Sequence, residues 1–203
     1  MIRAFLAVEL SATLRDQLAS FQQDLKRRIT YDLPRHVRVS WVRPQSLHLT
    51  LKFLGDIPDS VVEPLRSAMA EALALHHSLV IPLERLGGFP HMEQPRVLWI
   101  GPGEHWERGE EAKRLAVLHQ TVEVCCQTQG LGADDRPLTA HLTMARIKEG
   151  GRPFGQVLAR SGQADRPVHF HELRVDHVAL MQSDLRPTGS VYTRLWEVRL
   201  GAG

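Results

Sequence analysis

Residues 47–55 read LHLTLKFLG, and residues 140–146 read AHLTMAR. The tripeptide His-Leu-Thr therefore occurs twice, at His48-Leu49-Thr50 and at His141-Leu142-Thr143, 93 positions apart. With 11 His, 28 Leu and 9 Thr among 203 residues, random order gives roughly 0.07 copies of it. Two copies point to a repeated piece of structure rather than to composition. In a strand, residues i and i+2 face one side and i+1 the other. His48 and Thr50 then share a face while Leu47, Leu49 and Leu51 pack inward. His141 and Thr143 repeat the arrangement in front of Ala140, Leu142 and Met144. Each copy is followed by a helix-like segment and more strands. The repeat predicts two similar lobes across a cleft, with two imidazoles and two hydroxyls converging on one point.

The pattern extends in both directions from these strands. Residues 2–9 (IRAFLAVE) are strand-like, and Ser11 offers an N-cap for a helix carrying Leu14, Leu18, Phe21 and Leu25 to about Arg28. Residues 37–42 and 47–54 read as strands broken at Pro44 and ended by Gly55 and Pro58. A second helix, capped by Asp59 or Ser60, aligns Val62, Leu65, Met69 and Leu73 to about residue 76. Strands follow at 79–86 and 96–101, then a helix at 107–128 with Leu115, Leu118 and Val122 inward. A strand at 138–146, a short helix at 153–160 and strands at 170–182 and 190–199 complete the chain, the last two joined by a turn at Pro187-Thr188-Gly189. This mixture of hairpins and helices predicts an α+β fold with antiparallel sheets covered on their outer faces. No linker or low-complexity stretch divides it, so residues 1–203 read as one two-lobed domain.

Composition narrows the classes. An apolar fraction of 43% and a charged fraction of 24% are those of a globular protein. No apolar run approaches the roughly 20 residues of a membrane helix, and the run at residues 4–8 is too short for a leader before Glu9. Cys125 and Cys126 are adjacent, a poor geometry for a disulfide and too few thiols for zinc. They read as free thiols of a cytoplasmic protein. A net charge of +2 with a pI near 8.7 excludes a protein that coats nucleic acid by charge alone. It leaves room for a local basic groove, for which Arg35, Arg38, Arg43, Arg146 and Arg152 are candidates.

Two histidines and two hydroxyls suit a phosphodiester. A neutral imidazole takes a proton from water while a protonated one donates to the leaving oxygen, and a pKa near 6.5 lets both forms exist near neutrality. Thr50 and Thr143 can hold the non-bridging oxygens, with a cation offsetting the developing charge. Lys52 has the parity of His48 and Thr50; Arg146 has the opposite parity to His141 and reaches the site only if the strand bulges or ends there. Neither copy has an Asp or Glu at i±2 or i±4, which disfavours a metal site. The other nine histidines, including His76-His77 and the His169/His171 pair, read as bystanders.

These residues resemble the RNA 2′,3′-cyclic phosphodiesterase / 2′-5′ RNA ligase family, within the two-histidine phosphoesterase superfamily. The matching segments are residues 3–7 (RAFLA), 41–44 (WVRP), 47–55, 95–99 (PRVLW), 141–146, Ser183-Asp184-Leu185 and residues 189–192 (GSVY). Ala140 stands where the family usually has proline, and residues 151–167 match little. The resemblance implies a bilobal α+β fold with pseudo-two-fold symmetry, in which His48 protonates the leaving ribose oxygen and His141 activates water. It implies a 2′-phosphate product, a reverse 2′-5′ ligation without ATP, and a phosphate contact from Arg146. The implied partner is RNA with 2′,3′-cyclic phosphate ends, tRNA-derived ends included, acted on by a monomer with no cofactor. No Gly-x-x-x-x-Gly-Lys loop or Lys-x-Asp-Gly motif is present. A small cyclic nucleotide or an ADP-ribose cyclic phosphate is the alternative substrate, because the same motifs would serve. Phe53, Phe89 and Tyr192 are candidates for stacking on a base.

Overall fold

The computed structural model describes residues 1–133, 137–163, 168, 170–186 and 189–201, with Leu185 described by its backbone alone. Its strands are β1 (Ile2–Glu9), β2 (Arg38–Trp41), β3 (His48–Ile57), β4 (Leu79–Ile81), β5 (Arg85–Phe89), β6 (Val97–Gly101), β7 (Leu142–Glu149), β8 (Leu173–Val175), β9 (His177–Arg186) and β10 (Gly189–Arg199). Its helices are α1 (Ala12–Ile29), α2 (Val62–Leu73), α3 (Glu104–Glu107), α4 (Glu110–Thr128) and α5 (Gly151–Arg160).

All the strand pairs are antiparallel. The main sheet runs β10-β9-β1-β3-β7-β6-β5, and β2 also pairs with β7. It divides naturally into two four-stranded arrays, β10-β9-β1-β3 and β2-β7-β6-β5. The arrays meet at one residue pair, Leu49 opposite Leu142, the central leucines of the two His-Leu-Thr copies. A small second sheet joins β4 to β8. The fold is α+β and bilobal, with its seam on the repeated tripeptide.

Burial decides which face is which. Leu6 and Val8 of β1, Leu49 and Leu51 of β3, Leu142 and Met144 of β7 and Leu98 and Ile100 of β6 join one apolar cluster. Leu14, Leu18, Leu25 and Ile29 of α1, Leu65 and Met69 of α2, and Leu115, Leu118 and Val122 of α4 complete it. The helices therefore cover one side of the sheet. The opposite side carries a smaller cluster of Phe5, Ala7, Ala179 and Met181, with Tyr192 packed on it.

Several element boundaries differ from the expected ones for local reasons. The second helix stops at Leu73, and a single 3-10 turn (Asp59–Val61) precedes it without a side-chain cap. Asp59 instead accepts from the amino terminus at 2.8 Å. The third helix breaks at Arg108-Gly109 into α3 and α4. The expected strand at 79–86 splits at Pro82, its first half pairing with β8 and its second with β6. The strand expected at 47–54 continues through Gly55 to Ile57, directly before Pro58; Gly55 takes φ +71° and keeps its pairing with Ala4. The expected turn at 187–189 falls on Pro187 and Thr188, which lie outside the described residues.

Candidate active site

Each site histidine stands at the threshold of its strand. His48 is the first residue of β3, and His141 directly precedes β7. The His48 Nδ1 lies 2.8 Å from the Ser46 carbonyl, and the His141 Nδ1 lies 2.7 Å from the Thr139 carbonyl. Both rings are thus tied to the carbonyl two residues upstream. A carbonyl only accepts, so Nδ1 carries the hydrogen in each ring and Nε2 is the free nitrogen.

Aromatic side chains hold the rings edge and face. Phe5 lies 4.7 Å from His48 between centroids, and Tyr192 meets it edge-on at 5.3 Å. Phe89 meets His141 edge-on at 5.1 Å, and Trp99 lies 6.4 Å away. Trp99 lies against Gly87, where a Cβ would come within 2.1 Å of the indole. Only glycine allows that approach.

A cavity of about 390 Å³ opens between the arrays, lined by His48, Thr50, His141, Thr143 and Arg146 together with Phe53, Phe89 and Tyr192. All the expected site side chains border it, Lys52 included. Arg35, Arg38, Arg43 and Arg152 are not among the lining residues. Arg38 instead faces Glu149 at 3.4 Å.

Burial pushes the His48 imidazole down to about 4, helped by the nearby Arg146 and His141 and opposed by the Ser46 carbonyl and Glu9. Burial and Arg146 also lower His141, against the Thr139 carbonyl. Both rings are therefore neutral at pH 7 in the free protein. In a histidine NMR titration, His48 should show a midpoint near 4 and His141 one below 6.5. The unfolded chain protonates His48 near 6.5, so unfolding takes up a proton between about pH 6.5 and pH 4. Through this group, stability falls as pH drops across that window.

The two cations separate because each strand contains a bulge. On β7, Leu98 pairs with Ala145 and Trp99 with Thr143, so Met144 is the extra residue. The parity flips there, and Arg146 emerges exposed on the cavity side. On β3, Leu6 pairs with Lys52 and Ala7 with Thr50, so Leu51 is the extra residue. The same flip turns Lys52 away from the face of His48 and Thr50. Its ammonium lies 2.5 Å from Glu123 of α4, and both side chains are buried. The expectation that Lys52 shares the histidine face fails on this bulge. Phe53 takes that place.

Residues 8–99 and 108–192 match the LigT like phosphoesterase family. The chain belongs to that family. It is 29% identical over 199 residues to an RNA 2′,3′-cyclic phosphodiesterase of Methanothermobacter thermautotrophicus, covering 98% of this chain and 99% of the relative. It is 30% identical over 202 residues to one of Aquifex aeolicus, covering 99% and 98%. The solved structure of TT0787 of Thermus thermophilus aligns with a TM-score of 0.72 at 26% identity, over 99% of each chain.

Within this LigT-like fold, two buried polar side chains escaped the sequence reading. Gln22 of α1 donates through Nε2 to the carbonyls of Val42, at 2.8 Å, and Met144, at 3.0 Å. It thereby pins the bulge that delivers Arg146. Glu123 of α4 does the equivalent for the first bulge through Lys52. The available signal was a polar residue on each helix's apolar stripe, Gln22 between Leu18 and Leu25 and Glu123 beside Val122.

Glu9, His177 and Glu197 bring ligand-type atoms within 4.8 Å of one another. Those atoms are already engaged. Arg194 Nη1 donates to Glu9 at 2.9 Å and to Glu197 at 2.7 Å. His177 Nε2 accepts from the Glu9 backbone N–H, and its Nδ1 faces Asp176 at 2.7 Å. Of the His169/His171 pair, His169 lies outside the described residues. Among the described residues no helix is long and apolar enough to cross a membrane.

Proposed function

We propose that this LigT-like enzyme opens 2′,3′-cyclic phosphates at RNA ends without a metal, leaving a 2′-phosphate. The observation that carries the reading is the matched wiring of His48 and His141. Two imidazoles with Nδ1 tied to a carbonyl offer two free Nε2 atoms to one cavity. The relatives' activity on RNA cyclic phosphates supports the substrate class.

In this reading His141 Nε2 takes a proton from water as the water oxygen bonds to phosphorus, and the P–O3′ bond breaks. His48 gives its proton to the departing 3′-oxygen. A resting His48 held near 4 is a poor store of that proton. The anionic phosphate supplies the correction, since a negative charge beside an imidazole favours its charged form. Substrate thus arrives with the means of charging its own acid. Arg146 and the Thr50 and Thr143 hydroxyls hold the non-bridging oxygens and offset the charge that builds there. The guanidinium supplies the electrostatic role that a metal would otherwise fill.

A 5′-hydroxyl of a second RNA in the water position would run the joining reaction, giving a 2′-5′ linkage without ATP. Single-chain action on tRNA-derived ends fits the same site. The buried free thiols Cys125 and Cys126 suit a cytoplasmic setting. A small cyclic nucleotide or an ADP-ribose cyclic phosphate is the second reading, because the cavity of about 390 Å³ lies within the usual range of small-molecule sites.

The test is a short RNA ending in 2′,3′-cyclic phosphate, incubated in excess EDTA. Turnover to the 2′-phosphate is the expected result. Activity that appears only on adding a divalent ion would overturn the metal-free mechanism. Turnover of cyclic mononucleotides but not of RNA would put the second reading first.

A further inference from the structure

We propose that the cavity between α4 and residues 137–140 is the subsite for the second ribonucleotide of an RNA end, the one 5′ to the cyclic phosphate. The inference rests on the phosphodiesterase reading above. A 2′,3′-cyclic phosphate closes on the last ribose, so the rest of the strand leaves that ribose through O5′. The strand must therefore continue over whatever surface adjoins the reacting centre. A second cavity, of about 650 Å³, lies there. It shares His119, Pro137, Leu138 and Thr139 with the cavity of the two site histidines.

Position links this cavity to the chemistry. Thr139, on the shared border, supplies the carbonyl that faces the His141 Nδ1 at 2.7 Å. A nucleotide lying here would touch the segment that orients His141. The cavity around Glu9, His177 and Arg194 offers no such route, since none of its lining residues borders the first. Arg35, Arg38, Arg43 and Arg152 line neither of the two adjoining cavities. The strand's path is thus along α4 rather than through those arginines.

The lining carries both kinds of surface a nucleotide needs. Leu115, Leu138 and the Trp106 ring are apolar cover for a ribose and a base. Trp106 is fixed in place, because its Nε1 donates to the Val80 carbonyl at 3.0 Å. Lys113, His119 and Gln120 of α4 are polar groups for the linking phosphodiester. Lys113 is exposed and paired with Glu110, also exposed, at 2.6 Å. Such a pair is worth little in water, so a phosphate can claim the ammonium. The His119 side chain is 12% exposed and borders both cavities, its Nε2 3.7 Å from Glu123. It stands where the linkage between two nucleotides would cross. Glu107 also lines the cavity, and Arg85 Nη2 donates to its carboxylate at 2.6 Å, which offsets its charge. The volume falls within the usual range of small-molecule sites. Ala112 and Ala116, one turn apart on α4, leave it open.

The experiment compares wild type, Ala116→Trp and Val117→Trp on 2′,3′-cyclic AMP and on the dinucleotide ApA ending in a 2′,3′-cyclic phosphate. Ala116 is exposed on α4 and lines the cavity, so an indole there fills it without entering the core. Val117 is 60% exposed and does not line it, which makes it the control. Wild type should favour the dinucleotide in kcat/KM by roughly 5- to 150-fold. Ala116→Trp should abolish that preference while leaving cyclic AMP turnover unchanged, and Val117→Trp should keep both. Equal kcat/KM on the two substrates in wild type, a preference that survives Ala116→Trp, or an equal loss on both substrates overturns the subsite. Failure of wild type to turn over either substrate overturns instead the reading on which it rests.

Discussion

His48→Ala and His141→Ala should each lower kcat by about 10²- to 10⁴-fold on a cyclic-phosphate RNA, while KM changes little. The phosphate contacts that set binding, Thr50, Thr143 and Arg146, remain in either variant. Acid and base act in one step, so the double variant should be scarcely slower than the worse single one. The aromatic cage gives a structural control. Phe5, Tyr192, Phe89 and Trp99 pack around the imidazoles without depending on their charge. Thermal midpoints should therefore stay within a few degrees of wild type. Additive losses, or either single variant retaining full activity, would show that the two rings do not share one chemical step.

The second large effect is on stability rather than rate. Lys52→Met takes the ammonium away from the buried Glu123 carboxylate, which His119 Nε2 still faces at 3.7 Å; breaking the buried pair should cost about 3–5 kcal/mol of unfolding free energy. At about 2–4 °C per kcal/mol for a chain of this size, the thermal midpoint should fall by roughly 6–20 °C. Adding Glu123→Gln should recover most of the loss, because a neutral amide keeps hydrogen-bonding capacity without the charge. Denaturant titration of the single and double variants measures both. If Lys52→Met left stability unchanged and removed only activity, the ammonium would be a substrate ligand after all.

Lys52 and Arg146 show where the sequence becomes illegible. Strand alternation places the first four residues of each repeat correctly, and Leu49, Leu51, Leu142 and Met144 are all buried. It fails at the next residue, Lys52 or Ala145, in both copies and for one reason. A bulge inserts an unpaired residue and inverts the side chains that follow it up to the next irregularity. Read without the bulge, Lys52 shares the histidine face and Arg146 does not; the register reverses both, although Lys52 still borders the cavity. Nothing local announces the inversion, because Leu51 and Met144 are ordinary strand residues. The groups that contact the two bulged segments lie on other elements, Gln22 of α1 and Glu123 of α4. The seam is the opposite case. Two identical tripeptides that place a leucine between a histidine and a threonine leave few choices. Pairing Leu49 with Leu142 buries both and turns all four polar groups to one side. The division of the third helix at Gly109 is less legible, because helical residues flank the break, Glu104, His105 and Trp106 before it and Glu110, Glu111 and Ala112 after it.

The most direct test of the central claim is the pH dependence of kcat/KM for wild type, His48→Ala and His141→Ala on the same RNA. Wild type should give a bell, since one ring must be neutral and the other charged. His141→Ala should lose the acid limb, which reports the base. His48→Ala should lose the alkaline limb, which reports the donor. Opposite single limbs in the two variants would establish the division of labour between the two rings. A full bell in both variants, at whatever rate, would contradict it and move the acid and base to other groups.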